Sequence, residues 1–180
     1  MNTFKKTVLS SAMMVAAMMM VNTAQAASFS GSATAKTIVA ESDRSALAIP
    51  SSLTITLATG EVLSATDSVQ FDLVGGATFA NVPVNSLTWS GTDASGAVKT
   101  DSPDFVLVSQ TATQLVFRTT LSTGVPSGAV IKLGAGVQID ASGVTPMTAA
   151  GTAAEVALTA KMRGFVGGTA QDLYGSGGFK

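Results

Sequence analysis

The apolar residues of this chain recur with a period of two. Leu53 to Leu57 and Val69 to Leu73 place an apolar side chain at every second position. The same period of two is found in Leu115 to Thr119, Ala129 to Leu133 and Val156 to Met162. Successive side chains of a strand point to opposite faces of its sheet, so this pattern predicts strands with one buried face.

Shorter segments suggest further strands. They are Phe29 to Val39, Ser86 to Trp89, Phe105 to Ser109 and Val137 to Asp140. Glycine-containing turn segments separate the strands at short intervals. About eight or nine short strands with such spacing are typical of an antiparallel sandwich. We therefore expect an all-β fold, a single antiparallel β-sandwich of the immunoglobulin-like or jelly-roll type.

The Ala-rich stretch Thr148 to Arg163 is the one place where a helix competes with a strand. The alternation from Val156 onward favours a strand. A helical turn near Ala149 to Ala154 remains an open alternative.

The N-terminus has the three parts of a secretory signal peptide. Lys5 and Lys6 form a positive region, Val8 to Val21 is apolar, and Ala24-Gln25-Ala26 is a small-x-small cleavage site. The apolar run is shorter than the roughly 20 residues of a membrane-spanning helix. We expect a signal peptide at 1–26, a sandwich domain at 27–164 and a Gly-rich C-terminal segment at 165–180, with no membrane span in the mature protein. This predicts a secreted protein, extracellular or at the cell surface, with the periplasm as an alternative.

Composition limits the partners and the chemistry. The chain has no Cys and no His, and charged residues make up 12% of it. Removing the segment with Lys5 and Lys6 leaves 8 basic residues against 11 acidic ones, a net charge of −3. That balance gives no reason to expect nucleic acid as a partner.

Most nucleophilic and metal-assisted reactions lack their usual side chains here. A Ser-His-Asp or Cys-His arrangement cannot be built without His or Cys. The glycines of "VGGATF" and "LGAGVQI" follow strands without the Lys of a phosphate-binding loop. The sequence therefore predicts a protein that is not an enzyme and has no cofactor.

An acidic stretch, "DASGAVKTDSPD", offers a possible calcium site. Asp93, Asp101 and Asp104 supply the carboxylate oxygens that calcium prefers. The spacing matches no known calcium loop, and Lys99 lies inside the stretch. A solvated hairpin loop explains the same residues and is the favoured interpretation.

Trp89, the single tryptophan, has two interpretations. An exposed indole could stack on a sugar ring and bind a polysaccharide. Trp89 shares a strand face with Leu87, however, which favours a place in the core.

The two ends of the chain are candidate assembly segments. Extended terminal segments can add a strand to the sheet edge of a neighbouring copy. An ordinary first strand and a frayed tail are the alternative. The apolar and aromatic residues that would anchor such strands are Phe29, Ile38, Val39, Phe165, Leu173, Tyr174 and Phe179.

The strand sequences "SLTITLATG", "DSVQFDLVGG" and "AVIKLGAG" resemble those of secreted bacterial immunoglobulin-like and cohesin-like surface domains. The resemblance covers roughly Leu53 to Ile139 and implies a sandwich used for adhesion or assembly. Few Lys or Pro residues interrupt the strands, so their edges are poorly protected against pairing.

Two functional hypotheses follow from these observations. The first is a structural protein of the cell surface or extracellular matrix that assembles with itself into a fibre, layer or biofilm matrix. The second is a monomeric secreted module that binds a polysaccharide or another surface protein through Trp89 or the Asp93 to Asp104 loop.

Overall fold

The computed structural model of the protein describes residues 28–30, 45–49, 53–134, 136–144, 156–166 and 169–179. These residues form thirteen β-strands joined by turns and loops, and every strand pair among them is antiparallel. Within those ranges there is no helix, and so none that is long and apolar enough to cross a membrane. The expected all-β class is confirmed.

Some predictions fall outside the described residues. These are the signal peptide at 1–26, residues 31–39 of the strand expected at Phe29 to Val39, which include Ile38 and Val39, and the alternative helical turn at Ala149 to Ala154. They stay predictions.

Sheet 1 has five strands in the order β1-β3-β10-β6-β7. Its strands are β1 (Ser28–Ser30), β3 (Leu53–Thr56), β6 (Leu87–Thr92), β7 (Val98–Ser102) and β10 (Val130–Leu133). Strand β10 is central, with Ile131 opposite Ile55 on one side and Trp89 on the other. Alternate residues of these strands therefore form one apolar face.

Sheet 2 is smaller and sheet 3 again has five strands, in the orders β2-β11-β5 and β13-β12-β4-β9-β8. The strands of sheet 2 are β2 (Leu47–Ala48), β5 (Thr78–Asn81) and β11 (Gln138–Asp140). The strands of sheet 3 are β4 (Ser68–Val74), β8 (Phe105–Gln110), β9 (Gln114–Thr119), β12 (Ala157–Val166) and β13 (Thr169–Phe179).

Each of the strongly alternating segments forms a strand in the structure, including the one from Val156 to Met162, which becomes β12 from Ala157 onward. The stretch Ser52 to Phe79 reads as strand, turn, strand, glycine corner and strand, and β5 lies after that corner. Three strands were not predicted: β2, β7 and β13. Strand β2 is too short to show a period, β7 has no fully buried residue, and β13 contains several glycines. The boundary expected between 164 and 165 lies inside β12, because the strand continues to Val166.

All three sheets contribute to one cluster of buried side chains. Trp89 of sheet 1 is fully buried, and Phe79 of sheet 2 is 7% exposed. In sheet 3, the rings of Phe71 and Phe117 meet edge to face with centroids 6.1 Å apart. Each large side chain buried in this way contributes about 1.5–3 kcal/mol, so this shared cluster is the main source of stability.

Two loops that join sheet 1 to sheet 3 run side by side. The loop after β3 and the loop before β10 are tied by a bridge in which Leu63 and Val125 exchange both main-chain hydrogen bonds, at 3.0 and 2.8 Å. Two buried carboxylates brace the first loop: Glu61 accepts a bond from the Ala58 N–H and Asp67 one from the Ser64 N–H, each at 2.8 Å. The two loops that cross between the sheets are therefore hydrogen-bonded to each other, and the first loop is also held by its own carboxylates.

Candidate functional site

Trp89 lies in β6, opposite Ser102 at the end of β7, after which the chain passes from sheet 1 to sheet 3. Its side chain is fully buried, as its shared face with Leu87 predicts. The indole Nε1 donates a hydrogen bond to Asp104 Oδ2 at 2.9 Å, and the Ser102 hydroxyl donates to the same oxygen at 2.7 Å. Trp89 thus has no exposed face for a sugar ring, and Asp104 is its hydrogen-bond acceptor.

Asp93 organises the turn of the β6–β7 hairpin. Its Oδ1 accepts bonds from the Ser95 hydroxyl at 2.6 Å and from the Ser95 and Ala97 N–H groups at 2.9 Å. Lys99 Nζ lies 3.6 Å from the other oxygen. The Ser95 hydroxyl, followed by the Ala97 N–H, holds the pKa of Asp93 below its usual value of 3.8. Asp93 therefore acts as the capping residue of a turn.

Asp101 has different neighbours and a different conformation. Its φ of 44° is in the left-handed region, which residues other than glycine seldom adopt. Its N–H donates to the Ser90 hydroxyl at 2.9 Å, and its exposed carboxylate lies 3.8 Å from Lys132 Nζ. The strain at Asp101 is held by the neighbouring strand of the same sheet.

The structure does not bring the three predicted calcium ligands together. Asp93 caps a turn, Asp101 faces Lys132, and Asp104 holds Trp89. In the part of the chain that the structure describes, no group of three acidic, His or Cys side chains is placed to hold a metal ion. The stretch is a hairpin followed by a crossing between sheets, as the favoured interpretation of a hairpin loop partly anticipates.

A polar cluster that sequence reasoning missed lies on the other five-stranded sheet. Asp72 accepts bonds from Gln70 Nε2 at 2.7 and 2.8 Å, from Gln114 Nε2 at 2.8 Å, and from Lys161 Nζ at 2.9 Å. These residues come from β4, β9 and β12, which are neighbours in sheet 3. The cluster therefore joins the three central strands on the face away from the core.

The electrostatics of the cluster keep Asp72 ionised. Burial raises the pKa of Asp72, but hydrogen bonds from Gln114, Lys161 and Gln70 outweigh it and hold the pKa below 3.8. A carboxylate with such a low pKa is a poor proton donor or acceptor near neutral pH. The cluster suits a structural tie rather than proton transfer.

The sequence alone identifies only two of the four residues of this cluster as neighbours. Gln70 and Asp72 are two residues apart, so they share a strand face. Gln114 and Lys161 join them only because β9 and β12 pair with β4 in registers that place Gln114 opposite Asp72 and Lys161 opposite Gln70. Without the register, the four side chains cannot be grouped.

The predicted assembly residues lie at or next to sheet edges. Phe29 is in β1, an edge of sheet 1, and Phe165 is in β12. Leu173, Tyr174 and Phe179 are in β13, an edge of sheet 3. Strand β1 pairs with β3, and β13 pairs with β12. The two terminal strands β1 and β13 also contact each other, so both terminal segments are edge strands of sheets in their own chain.

Leu173 shows how closely the C-terminal strand is packed. It is partly buried, and a methyl group added to Gly164 of β12 would collide with it and would lie 2.8 Å from Asp67 Oδ1. The C-terminal segment is thus an integral strand of sheet 3 along its described length.

Comparison of the chain with protein-family models, curated proteins and solved structures found no match.

Proposed function

We propose that this chain is an exported structural protein of the cell surface or extracellular matrix. In this proposal it assembles with itself, through sheet edges or strand exchange, into a fibre, a layer or a biofilm matrix. The observation that carries the proposal is the set of sheet edges: within the described part of the chain, both five-stranded sheets end in strands that pair on one side only. Unpaired main-chain groups at such edges are ready to pair with another chain.

The proposed fold is a single antiparallel β-sandwich. Its support is the buried cluster, to which both five-stranded sheets contribute alternate residues such as Trp89 and Phe117. A rigid sandwich presents its edges at fixed positions, which suits a building unit whose contacts must repeat.

The first experiment is electron microscopy of the purified mature protein, expected to begin at Ala27, with and without calcium. Regular fibres or sheets support the proposal, and a calcium requirement would revive a cation role for the Asp93 to Asp104 stretch. Uniform small particles under every condition contradict assembly by this chain alone. They would direct attention to the binding module, and a glycan screen would follow.

A second experiment separates strand exchange from edge pairing. The chain has no Cys, so paired Cys substitutions give an unambiguous readout. Val74 of β4 lies opposite Ala157 of β12, and Val74 is exposed. If the C-terminal hairpin is exchanged between copies, oxidised Val74→Cys/Ala157→Cys protein forms covalent oligomers in denaturing gels. If the hairpin stays in its own chain, the same variant remains a monomer with an internal disulfide.

The matched control joins two strands of one short hairpin. Ser109 of β8 lies opposite Val116 of β9, and the connection between them is too short for exchange in this fold. Ser109→Cys/Val116→Cys should therefore form only an internal disulfide. Oligomers in this control would mean that a contact between copies other than exchange of the C-terminal hairpin forms the crosslinks.

A further inference from the structure

We infer that β8 (Phe105–Gln110) pairs with β8 of a second copy, so that sheet 3 continues from one molecule into the next. This inference rests on the proposed self-assembly and specifies the edge that carries it. Strand β8 is the last strand of sheet 3 and pairs with β9 alone. Among the residues that the structure describes, no strand pairs with the outer side of its six residues.

The side chains of β8 suit contact with another strand. The segment reads "FVLVSQ" and contains no charge, no Pro and no Gly. The side chains of Val106 and Val108 are 46% and 48% exposed. Val and Phe also have high β-propensity, which favours an extended strand here. Two such valines on an open edge lose exposed apolar surface when a strand pairs there.

The other described edges are protected in ways that β8 is not. Strand β7 has Lys99 and the left-handed Asp101, and β13 has Asp172 among its glycines. Strands β1 and β2 have three and two residues. Strand β5 has four, and Pro83 follows it closely. Charges, irregular backbone, short length and proline are the devices by which natural edges avoid pairing.

A second copy of β8 is a suitable partner because the strand is self-complementary. An antiparallel pair with its two-fold axis between Leu107 and Val108 places Val106 opposite Ser109 of the other copy. No charge then meets a like charge. The nearest cation is Arg118, opposite Val106 in β9. The two Arg118 residues would lie three strand spacings apart, about 14 Å, which exceeds the screening length of about 8 Å at physiological salt.

The contact should be weak by itself. The register of β8 shifts between Leu107 and Ser109, and such a bulge increases the local twist. A pair of six-residue strands is also small beside the 1,200 Å² or so at which stable interfaces begin. We therefore expect assembly that depends on concentration and that a modest repulsion abolishes.

The test places charges on β8 and compares it with another edge. Val106→Lys/Val108→Lys adds four like charges across the proposed strand pair. The control is Val98→Lys on β7, where Val98 is 79% exposed and the strand is already charged. Sedimentation velocity over a concentration series measures assembly, and circular dichroism checks that each variant is folded.

The inference expects the β8 variant to need at least tenfold more protein to assemble, while Val98→Lys assembles as the wild type does. If the folded β8 variant assembles like the wild type, the inference is overturned and the proposed self-assembly survives through another contact. If the wild type stays monomeric at every concentration, both the inference and the proposed function are overturned.

A second variant tests the contact directly. Val108→Cys and, as its control, Val98→Cys each carry one nitroxide label, since the chain has no other Cys. In the proposed register, Val108 lies opposite Leu107 of the other copy, so the two Val108 positions are offset by one residue and are closer than the roughly 7–8 Å of diagonal neighbours. Labels at Val108 should therefore show dipolar broadening in assembled protein. Labels at Val98 should not. Assembled protein without broadening at Val108 would overturn the β8 contact.

Discussion

The two five-stranded sheets have similar inner faces and different outer faces. Inside, Ile55 and Trp89 of sheet 1 and Phe117 of sheet 3 are almost completely buried. Outside, the side chains of sheet 1 are mainly short hydroxyl groups, with Lys132 near an exposed Asp101. Outside sheet 3, Asp72 accepts hydrogen bonds from Gln70 of its own strand and from Gln114 and Lys161 of the two neighbouring strands.

This difference separates two sources of stability. Both sheets depend on burial of the inner face, which is worth several kcal/mol for each large side chain. Only sheet 3 adds a charged network across its central strands, worth less because about a quarter of the Asp72 side chain is exposed. Substitutions can test whether the core, the crossing loops and the outer face contribute to the free energy of unfolding in that order.

The largest expected effect is in the shared core. Trp89→Ala should lower the free energy of unfolding by about 3–5 kcal/mol, since it leaves a cavity and removes a donor from Asp104. Trp89→Phe keeps most of the packing and should cost about half as much. Urea unfolding followed by circular dichroism measures both. A cost under about 1 kcal/mol for Trp89→Ala would show that the two sheets do not share this core.

A smaller effect is expected where the loops between the sheets touch. Gly124 and Gly128 both have φ of +76°, but a methyl group at Gly124 would collide with Leu63 and Ser64, whereas Gly128 has open space. Gly124→Ala should cost about 2–4 kcal/mol, from backbone strain plus crowding, and Gly128→Ala about 1 kcal/mol from strain alone.

The same urea titration compares these two variants, and the difference between them isolates the crowding. Equal costs would mean that the Leu63–Val125 bridge adjusts freely, and that the crossing does not fix the sheets against each other.

The smallest effect concerns the outer faces. Asp72→Asn should cost about 1 kcal/mol at neutral pH, whereas Asp101→Asn on sheet 1 should cost less than about 0.5 kcal/mol, because that ion pair is exposed. The pKa of Asp72 is depressed in the folded protein, so its stabilisation is present above the unfolded pKa near 3.8 and is lost as pH falls through the lower folded pKa.

Thermal unfolding from about pH 7 to pH 2 measures this difference. The gap between wild type and Asp72→Asn should be constant at neutral pH and should close below about pH 4. A gap that persists at pH 2 would mean that the Asn variant is destabilised by packing rather than by loss of charge.

The sequence predicted the inner faces better than the outer ones. Alternation at Leu53 to Leu57 and Val69 to Leu73 identifies both a strand and its buried side, because burial is periodic along one segment. The burial of Trp89 follows from the same rule. The Asp72 cluster depends on how β4 pairs with β9 and β12, which are distant in sequence, and no local pattern contains that register.

The edges also needed the structure. Strand β13 was expected as a Gly-rich segment, since glycine is unfavourable in strands and gives no alternation. Pairing with β12 overrides that preference. The contrast between the charged β7 and the neutral β8 is readable in the sequence, but not the fact that both are edge strands.

The central place of β10 in sheet 1 has a kinetic consequence. Leu133 of β10 pairs with Leu53 on one side and Leu87 on the other, so the sheet joins segments that are far apart along the chain. A chain made from its N-terminus can pair β1 with β3 and β6 with β7, but the edges of β3 and β6 that face β10 stay unpaired until β10 is available. Loops of this length close slowly, and folds dominated by such pairings fold in milliseconds to seconds. The interval before β10 arrives is therefore when the chain is most open to premature association.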